Sequence, residues 1–267
     1  MHPVVNKSVV ITGSTRGIGY GLASEFLERG CGVTINGRTT EAVNEAASKL
    51  SAKYNAELIF SFACDVTDFV QVQRLWERAK DHFGRIDIWI NNAGTATPMM
   101  NFWELLPEQY ADVVHTNIIG TMYGSKVALS GMLAQGHGAL YNLEGFGAKG
   151  RSMRGMTLYG STKASVHFIN RSLAEEIKDT SVITGAIAPG MVITEMITQQ
   201  FNGREEELEK SKRILNIIAE RAETVAPVLV EKILENKKNG ATITYSSSIR
   251  MLVKFITAPF NKRDLFA

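Results

Sequence analysis

Tyr159-Gly160-Ser161-Thr162-Lys163 places a phenol and an ammonium four residues apart. On a helix that spacing puts both on one face. An ammonium beside a phenol favours tyrosinate and draws the phenol pKa down from about 10. Such a tyrosine can protonate a substrate oxygen while a hydride arrives at the neighbouring carbon. The Tyr-x-x-x-Lys spacing is common, so its meaning depends on what the chain builds around it.

A second stretch points to a nucleotide. Thr12-Gly13-Ser14-Thr15-Arg16-Gly17-Ile18-Gly19 follows the apolar run Ser8-Val9-Val10-Ile11 and opens a helical pattern from Ile18 to Arg29. Its glycines allow a tight turn and close backbone approach to a pyrophosphate, and the helix N-terminus favours the anion. An acidic residue at the end of the second strand would select the ribose 2′-hydroxyl of NAD. This chain has Ile35-Asn36-Gly37-Arg38-Thr39 there. Arg38, with Arg16 across the turn, suits a 2′-phosphate, so NADP(H) is the expected cofactor. Charge-assisted bonds contribute about 1.5–3 kcal/mol each, enough for two arginines to shift preference by well over tenfold.

The elements that carry these residues alternate. Apolar runs at 8–11, 33–35, 58–62, 86–90, 139–143, 182–187 and 241–245 read as strands. Between them 18–29, 40–54, 69–83, 108–134 (one helix or two), 159–178 and 225–236 read as helices, with Thr39 or Thr40 capping the second. Strands apolar throughout and separated by helices indicate a parallel sheet covered on both faces. The expected fold is α/β: a single doubly wound Rossmann-like domain over 1–247 with a mostly seven-stranded sheet, followed by a tail over 248–267. Residues 191–221 follow a strand end and hold the charge run 204–213, a solvated helix face or a substrate lid.

Composition narrows the function classes. With 45% hydrophobic residues over 267 positions, the chain is too apolar for disorder. A net charge of +2 gives no basic stripe for nucleic acid. Two cysteines, Cys31 and Cys64, make neither a disulfide framework nor a cysteine-based zinc site; both abut strands and read as buried, inert thiols. No His/Asp/Glu spacing suggests a metal. No apolar run approaches the ~20 residues of a membrane helix. Met1-His2-Pro3 runs into the first strand without a signal or plastid-type leader, so a cytoplasmic location is expected.

Taken together, the glycine turn, Asp65-Val66, Asn91-Asn92-Ala93-Gly94, Asn117, Tyr159-x-x-x-Lys163 and Pro189-Gly190 with Thr194 resemble the short-chain dehydrogenase/reductase family in order and spacing over almost the whole chain. The resemblance implies an NADP(H)-dependent oxidoreductase. Tyr159 would be the general acid/base and Lys163 would hold the nicotinamide ribose. Asn117 would position a water in a proton relay. Asp65 and Val66 would border the adenine, and Asn92, Ala93 and Gly94 would line the cofactor cleft. Pro189, Gly190, Val192 and Thr194 would flank the nicotinamide. Helices 108–134 and 159–178 resemble the family's dimerisation faces, so a homodimer or homotetramer is expected.

One departure stands out. The family ends its fifth strand with Asn-x-Ser-Ser, whose serine polarises the substrate carbonyl. Here the strand ends Asn142-Leu143-Glu144-Gly145-Phe146, and Gly145 or Phe146 takes the serine position. Three readings follow. Glu144, neutral in an apolar pocket, donates a hydrogen bond to the carbonyl. Or it caps backbone amides in the loop of Gly145, Gly147 and Gly150. Or the chain has lost catalysis and is an NADP(H)-binding sensor or interaction module. The loop Asn142, Glu144, Gly145, Gly147 followed by 159–163 also resembles the chlorophyll b reductase branch, with glutamate where aspartate is expected. A small-molecule carbonyl or alcohol that is bulky and apolar (lipid-, steroid- or pigment-like) is the expected substrate.

Other residues have plainer readings. His115 and His167 fall on apolar helices and suit packing; His82 and His137 border turns and look exposed. Met99, Met100, Phe102 and Trp103 line a substrate pocket or pack a loop. Residues 249–258, ended by Pro259, form a short basic amphipathic pattern that docks on the domain or touches a membrane surface. The tail alone carries +3, leaving −1 for the rest of the chain.

Overall fold

Period-two alternation sorts the strand residues into two layers. Val9, Ile11, Ile88, Ile90 and Tyr141 enter one apolar cluster, while Val10, Trp89 and Leu140 enter another. The computed structural model describes residues 6–201, 204–245, 254, 256 and 263–266. Among these, seven strands form one sheet: β1 (Ser8–Ile11), β2 (Gly32–Gly37), β3 (Ile59–Ala63), β4 (Ile88–Asn91), β5 (Gly138–Leu143), β6 (Val182–Ala188) and β7 (Ala241–Thr244). All pair parallel, in the order β3-β2-β1-β4-β5-β6-β7. The order reverses between β1 and β4, the switch point where such sheets bind ligands.

Helices cover both faces. α1 (Gly17–Glu28), α2 (Thr40–Ser51) and α9 (Ala222–Glu235) bury Leu22, Phe26, Leu50, Leu229 and Ile233 in the first cluster. α3 (Phe69–Phe83), α5 (Gly120–Gln135) and α6 (Thr157–Glu176) close the other face around Trp76, Val127, Met132 and Leu173. Asp68 caps α3 by accepting from the Val70 and Gln71 amides, and Gly84, at φ +80°, ends it. The long helical pattern at 108–134 resolves into α4 (Pro107–Val114) and α5, joined by a π-helical turn at His115–Ile119.

Residues 191–221 contain α7 (Glu195–Gln199) and α8 (Glu205–Ile218). The segment is anchored at both ends. Val192 pairs with Glu220, and the Met99 amide donates to Gln200 O (3.2 Å). Most of the expected amphipathic tail lies outside the described residues; Lys254 and Ile256 are helical. The described tail residues dock on the domain: Lys254 pairs with Glu220 at 2.8 Å, Arg263 pairs with the same carboxylate, and the Leu265 amide donates to Asn216 Oδ1 (2.9 Å). Among the described residues no helix is long and apolar enough to cross a membrane, and no cluster of three or more His, Cys, Asp or Glu could hold a metal ion.

Burial alone would raise the Glu220 carboxyl, but the hydrogen bonds and charges of Lys254 and Arg263 outweigh it and hold it below 4.5. A depressed carboxyl stabilises the fold above its unfolded pKa and loses that contribution as pH falls through its folded value. Glu220→Gln should therefore cost about 1–3 kcal/mol at neutral pH, with the difference closing in acid. Urea unfolding of both proteins across the acid range checks this.

Candidate active site

The turn after β1 is shaped by its glycines. Gly13 and Gly17 adopt φ of +62° and +59°, which other residues rarely do. A Cβ at Gly19 would sit 2.4 Å from Asn92 Nδ2 and 2.6 Å from Gly13 O, so the third glycine lets α1 pass against β4. Ser14 is buried; its Oγ donates to Ile11 O (2.8 Å) and accepts from the Asn36 amide (2.9 Å). Asn36 accepts from the Gly13 amide (3.2 Å) and donates to Phe62 O and Cys64 O. That cross-tie between three strand ends was not legible from residue type. Thr15 fills the space over Gly37, and Ile18 packs on the first cluster. Arg16 precedes α1 in an extended conformation, and its side chain does not cap the first-turn amides.

Thr12 Oγ1 accepts from the Asn92 and Ala93 amides at 3.0 Å each, and Asn92 Nδ2 donates to Thr12 O (2.8 Å) and Gly13 O (2.9 Å). Asn92 Oδ1 is buried with no hydrogen-bond partner among the described residues, an acceptor left over beside the turn. Arg38 and Thr39 are exposed at the end of β2; Thr39 Oγ1 caps α2 through the Ala42 amide (3.3 Å). Arg16 forms an exposed ion pair with Glu195 on α7. Asp65 Oδ1 accepts from Thr67 N (2.9 Å) and Oγ1 (2.8 Å), and Val66 lies buried against Gly120. Beyond β6, Pro189 is buried, Gly190 turns at φ +79°, Val192 is buried, and Thr194 rests on Gly17, its Cγ2 3.2 Å from where a Cβ would be. The start of α1, the Asn92 acceptor left over among the described residues and Arg38, exposed at the end of β2, all suit a phosphorylated dinucleotide.

Tyr159 and Lys163 lie on the first turns of α6, beside the end of β5. Lys163 Nζ donates to Leu143 O (3.0 Å) and sits 5.8 Å from the Tyr159 ring centre. A Cβ at Gly145 would lie 2.5 Å from Tyr159 Oη, so Gly145 is the residue facing the phenol, at the strand-aligned serine position. Burial pushes the Tyr159 phenol up to about 12. The expected downward pull of Lys163 does not prevail, because desolvation dominates. Burial also lowers Lys163 to about 8, against an upward push from Glu144. Asn117, in the π-helical turn, donates to Thr95 O (2.9 Å) and Thr162 Oγ1 (3.0 Å) and accepts from the Thr95 amide (2.8 Å). It thus ties the loop after β4 to α6. A Cβ at Gly94 would meet Asn117 Oδ1 at 3.3 Å and Lys163 Nζ at 3.7 Å, so these groups lie side by side.

Glu144 stands apart from this group. Its buried carboxylate Oε1 meets His167 Nδ1 at 2.7 Å. It therefore neither faces the Tyr159 hydroxyl, as Gly145 does, nor caps the glycine loop, whose turns close through Gly145 O and Gly147 O instead. Alternation puts Asn142 and Glu144 on one face, where they meet Asn170 and His167, further along α6 than Tyr159 and Lys163. His167 is a partner of that carboxylate rather than a packing residue. His82 is half-buried and stacks on Phe60 at 4.8 Å, His115 is exposed, and His137 is exposed as expected. Both cysteines are buried, with thiols pushed up to about 11 (Cys31) and about 12 (Cys64), which leaves them unreactive. Met100 packs on Leu105, Val113 and Leu158, while Phe102 and Trp103 are exposed.

Comparison with known proteins accounts for this arrangement. The family model for short chain dehydrogenase matches residues 7–205. A probable chlorophyll(ide) b reductase NYC1, chloroplastic, of Oryza sativa subsp. japonica is 34% identical over 271 residues, covering 94% of this chain and 52% of that protein. The chlorophyll(ide) b reductase NOL, chloroplastic, of Arabidopsis thaliana is 36% identical over 246 residues, 90% of this chain and 68% of that one. The chain thus spans about half the length of the NYC1 relatives. A 3alpha-hydroxysteroid dehydrogenase of Mediterraneibacter gnavus is 30% identical over 192 residues, 72% of this chain and 76% of that one. Among solved structures, the closed form of serine dehydrogenase complexed with NADP+ has a TM-score of 0.79 at 26% identity, covering 89% of this chain and 93% of that one. ElxO with NADP bound has 0.77 at 29%, covering 90% and 96%. With the family model covering most of the chain and the tyrosine, lysine and glycine turn gathered at the carboxyl ends of the central strands of a seven-stranded parallel sheet, the protein belongs to the short-chain dehydrogenase/reductase family.

Proposed function

We propose that the protein is an NADPH-dependent reductase of a carbonyl on a bulky, apolar molecule, with Tyr159 as proton donor. The observation that carries this reading is the placement of Tyr159 Oη against Gly145, beside the buried Lys163 and Asn117. Arg16 and Arg38 would hold the 2′-phosphate, Arg16 by exchanging its surface pair with Glu195. That exchange is inexpensive, because exposed ion pairs contribute about 0–1 kcal/mol. The α1 N-terminus and the Gly13, Gly17 and Gly19 turn would take the pyrophosphate. Asp65 and Val66 would border the adenine, and Pro189, Gly190 and Thr194 the nicotinamide. When bound, NADPH supplies a hydride to the carbonyl carbon.

The chain's own residues manage the proton. A phenol held up at about 12 stays protonated through neutral pH, the form a general acid must hold before carbonyl reduction. Lys163, charged beside it, would stabilise the oxyanion that Tyr159 leaves behind. Without a serine hydroxyl at Gly145, polarisation of the carbonyl falls to Tyr159 itself. The relatives that reduce chlorophyll(ide) b and that dehydrogenate a 3alpha-hydroxysteroid support a bulky, apolar substrate. Residues 191–221 would cover it as a lid, with Phe102 and Trp103 exposed near the Met99–Gln200 bond. The retained Tyr159, Lys163 and Asn117 group speaks against a non-catalytic sensor. Exposed Met122 and Leu133 on α5 and Phe168 (70% exposed) on α6 support a homo-oligomer built on those helices. The pairing of Lys254 and Arg263 with Glu220 favours a tail docked on the domain over a membrane foot.

Tyr159→Phe should lower NADPH-dependent reduction of hydrophobic ketones and aldehydes by about 100-fold or more while nucleotide binding persists. Unchanged turnover would contradict the reading. Arg38→Ala should weaken NADPH relative to NADH by more than about tenfold, measured as the ratio of their Kd values.

A further inference from the structure

Glu144 is 3% exposed, and its position is fixed from two sides. Its amide donates to Ile187 O (2.8 Å), and its carboxylate meets His167 Nδ1 (2.7 Å) on α6. The preceding residue, Leu143, offers the carbonyl that accepts from Lys163 Nζ (3.0 Å). Lys163 and His167 are four residues apart on α6, so the helix presents both to the same strand end. Successive turns of α6 thus take the two adjacent strand-end residues, Lys163 binding the Leu143 carbonyl on the Tyr159 side and Glu144 meeting His167 beside a cleft between α6 and strands β6 and β7. That cleft holds about 210 Å³ and includes Asn170, whose buried Nδ2 has no partner among the described residues. The charged and titratable groups facing it from α6 are His167, Arg171 and Glu175; β6 and β7 present Gly185, Ala186, Ala241 and Thr242, which carry no charge.

Burying an ammonium disfavours its charged form unless a nearby negative charge compensates. We propose that Glu144, held by His167, is a positioning residue: its buried carboxylate keeps the Lys163 ammonium charged and in place behind Tyr159, without touching substrate. The proposal rests on the reading of Tyr159 and Lys163 as the reacting pair. It explains why an acid after β5 coexists with a glycine at the serine position: the two residues meet different turns of α6, Gly145 facing Tyr159 and Glu144 meeting His167. The opposing influences on Lys163, burial lowering it and Glu144 raising it, agree with this geometry.

The test uses the full chain with lysine labelled at Cε. The Lys163 resonance is assigned by its loss in Lys163→Arg, and its titration midpoint is followed by NMR. Glu144→Gln should lower that midpoint by about one pH unit, and should move the alkaline fall of kcat/KM for carbonyl reduction the same way. Glu144→Ser, the residue the family pattern has there, should do likewise and serves if the glutamine variant fails to fold. His167→Gln, which keeps a donor beside the carboxylate, should leave the midpoint in place or raise it. An unmoved Lys163 midpoint in both Glu144 variants overturns the proposal, whatever their activity. A lowered midpoint with an unmoved pH profile also overturns it, because the charge then has no bearing on turnover. The NMR readout needs no turnover, so failure of the reductase reading, shown by an active Tyr159→Phe, is distinguishable from failure of this inference.

Discussion

A buried ammonium is the constraint around which the site is organised. Removing Lys163 from water costs several kcal/mol unless hydrogen bonds and opposite charge compensate. The end of β5 supplies both: Leu143 O accepts from Nζ, and Glu144 lies on the next residue. That arrangement requires α6 to run close along β5. The close approach is made by Gly147 against Gly160, where a Cβ on Gly147 would lie 2.5 Å from the Gly160 Cα. A chain of buried amides continues the contact: Asn142 donates to Asn170 Oδ1 (2.7 Å), and Asn91 to Asn142 Oδ1 (2.7 Å) and Ser125 (3.1 Å). These bonds reach from each element to its neighbour, which makes the pairing of β4, β5, α5 and α6 specific.

The π-helical turn follows from the same demand. A helix running straight from Pro107 to Gln135 would carry Asn117 at a fixed angle. The wider turn at His115–Ile119 lets Asn117 reach Thr95 on one side and Thr162 on the other. Such insertions recur at functional sites. Here the turn joins the loop after β4 to the first turns of α6, the two segments that hold Gly94 and Tyr159. On the far side of the switch point, Thr12 and Asn92 fasten the glycine turn to the end of β4. The glycine turn and Tyr159 are thus referred to one strand.

Much of this was legible in the sequence. Apolar strand runs and the helical patterns between them placed the sheet and helices, because fully buried parallel strands have strong local signals. The glycine turn and the Tyr159–Lys163 spacing were legible for the same reason. What was not legible depends on contacts far apart in the chain. The Asn36 cross-tie, the π-helical turn and the Arg16–Glu195 pair have no signature in residue type or local spacing. Glu144 is the instructive case. Its identity drew attention to the carbonyl pocket, yet the alternation of β5 already put it on the face of Leu140 and Asn142. The partner, His167, was read as packing because its helix neighbours are apolar, and only the strand's approach reveals the bond.

This site would pass a hydride from the nicotinamide of a dinucleotide whose pyrophosphate is held at the β1 turn to a carbonyl carbon held near Tyr159. The direct measurement is reduction of a hydrophobic aldehyde with NADPH deuterated on the transferred face of nicotinamide C4, in ordinary water, with mass analysis of the product. Deuterium on the carbinol carbon, with the hydroxyl proton drawn from water, is the predicted result. A product without deuterium from either face of C4 contradicts the account.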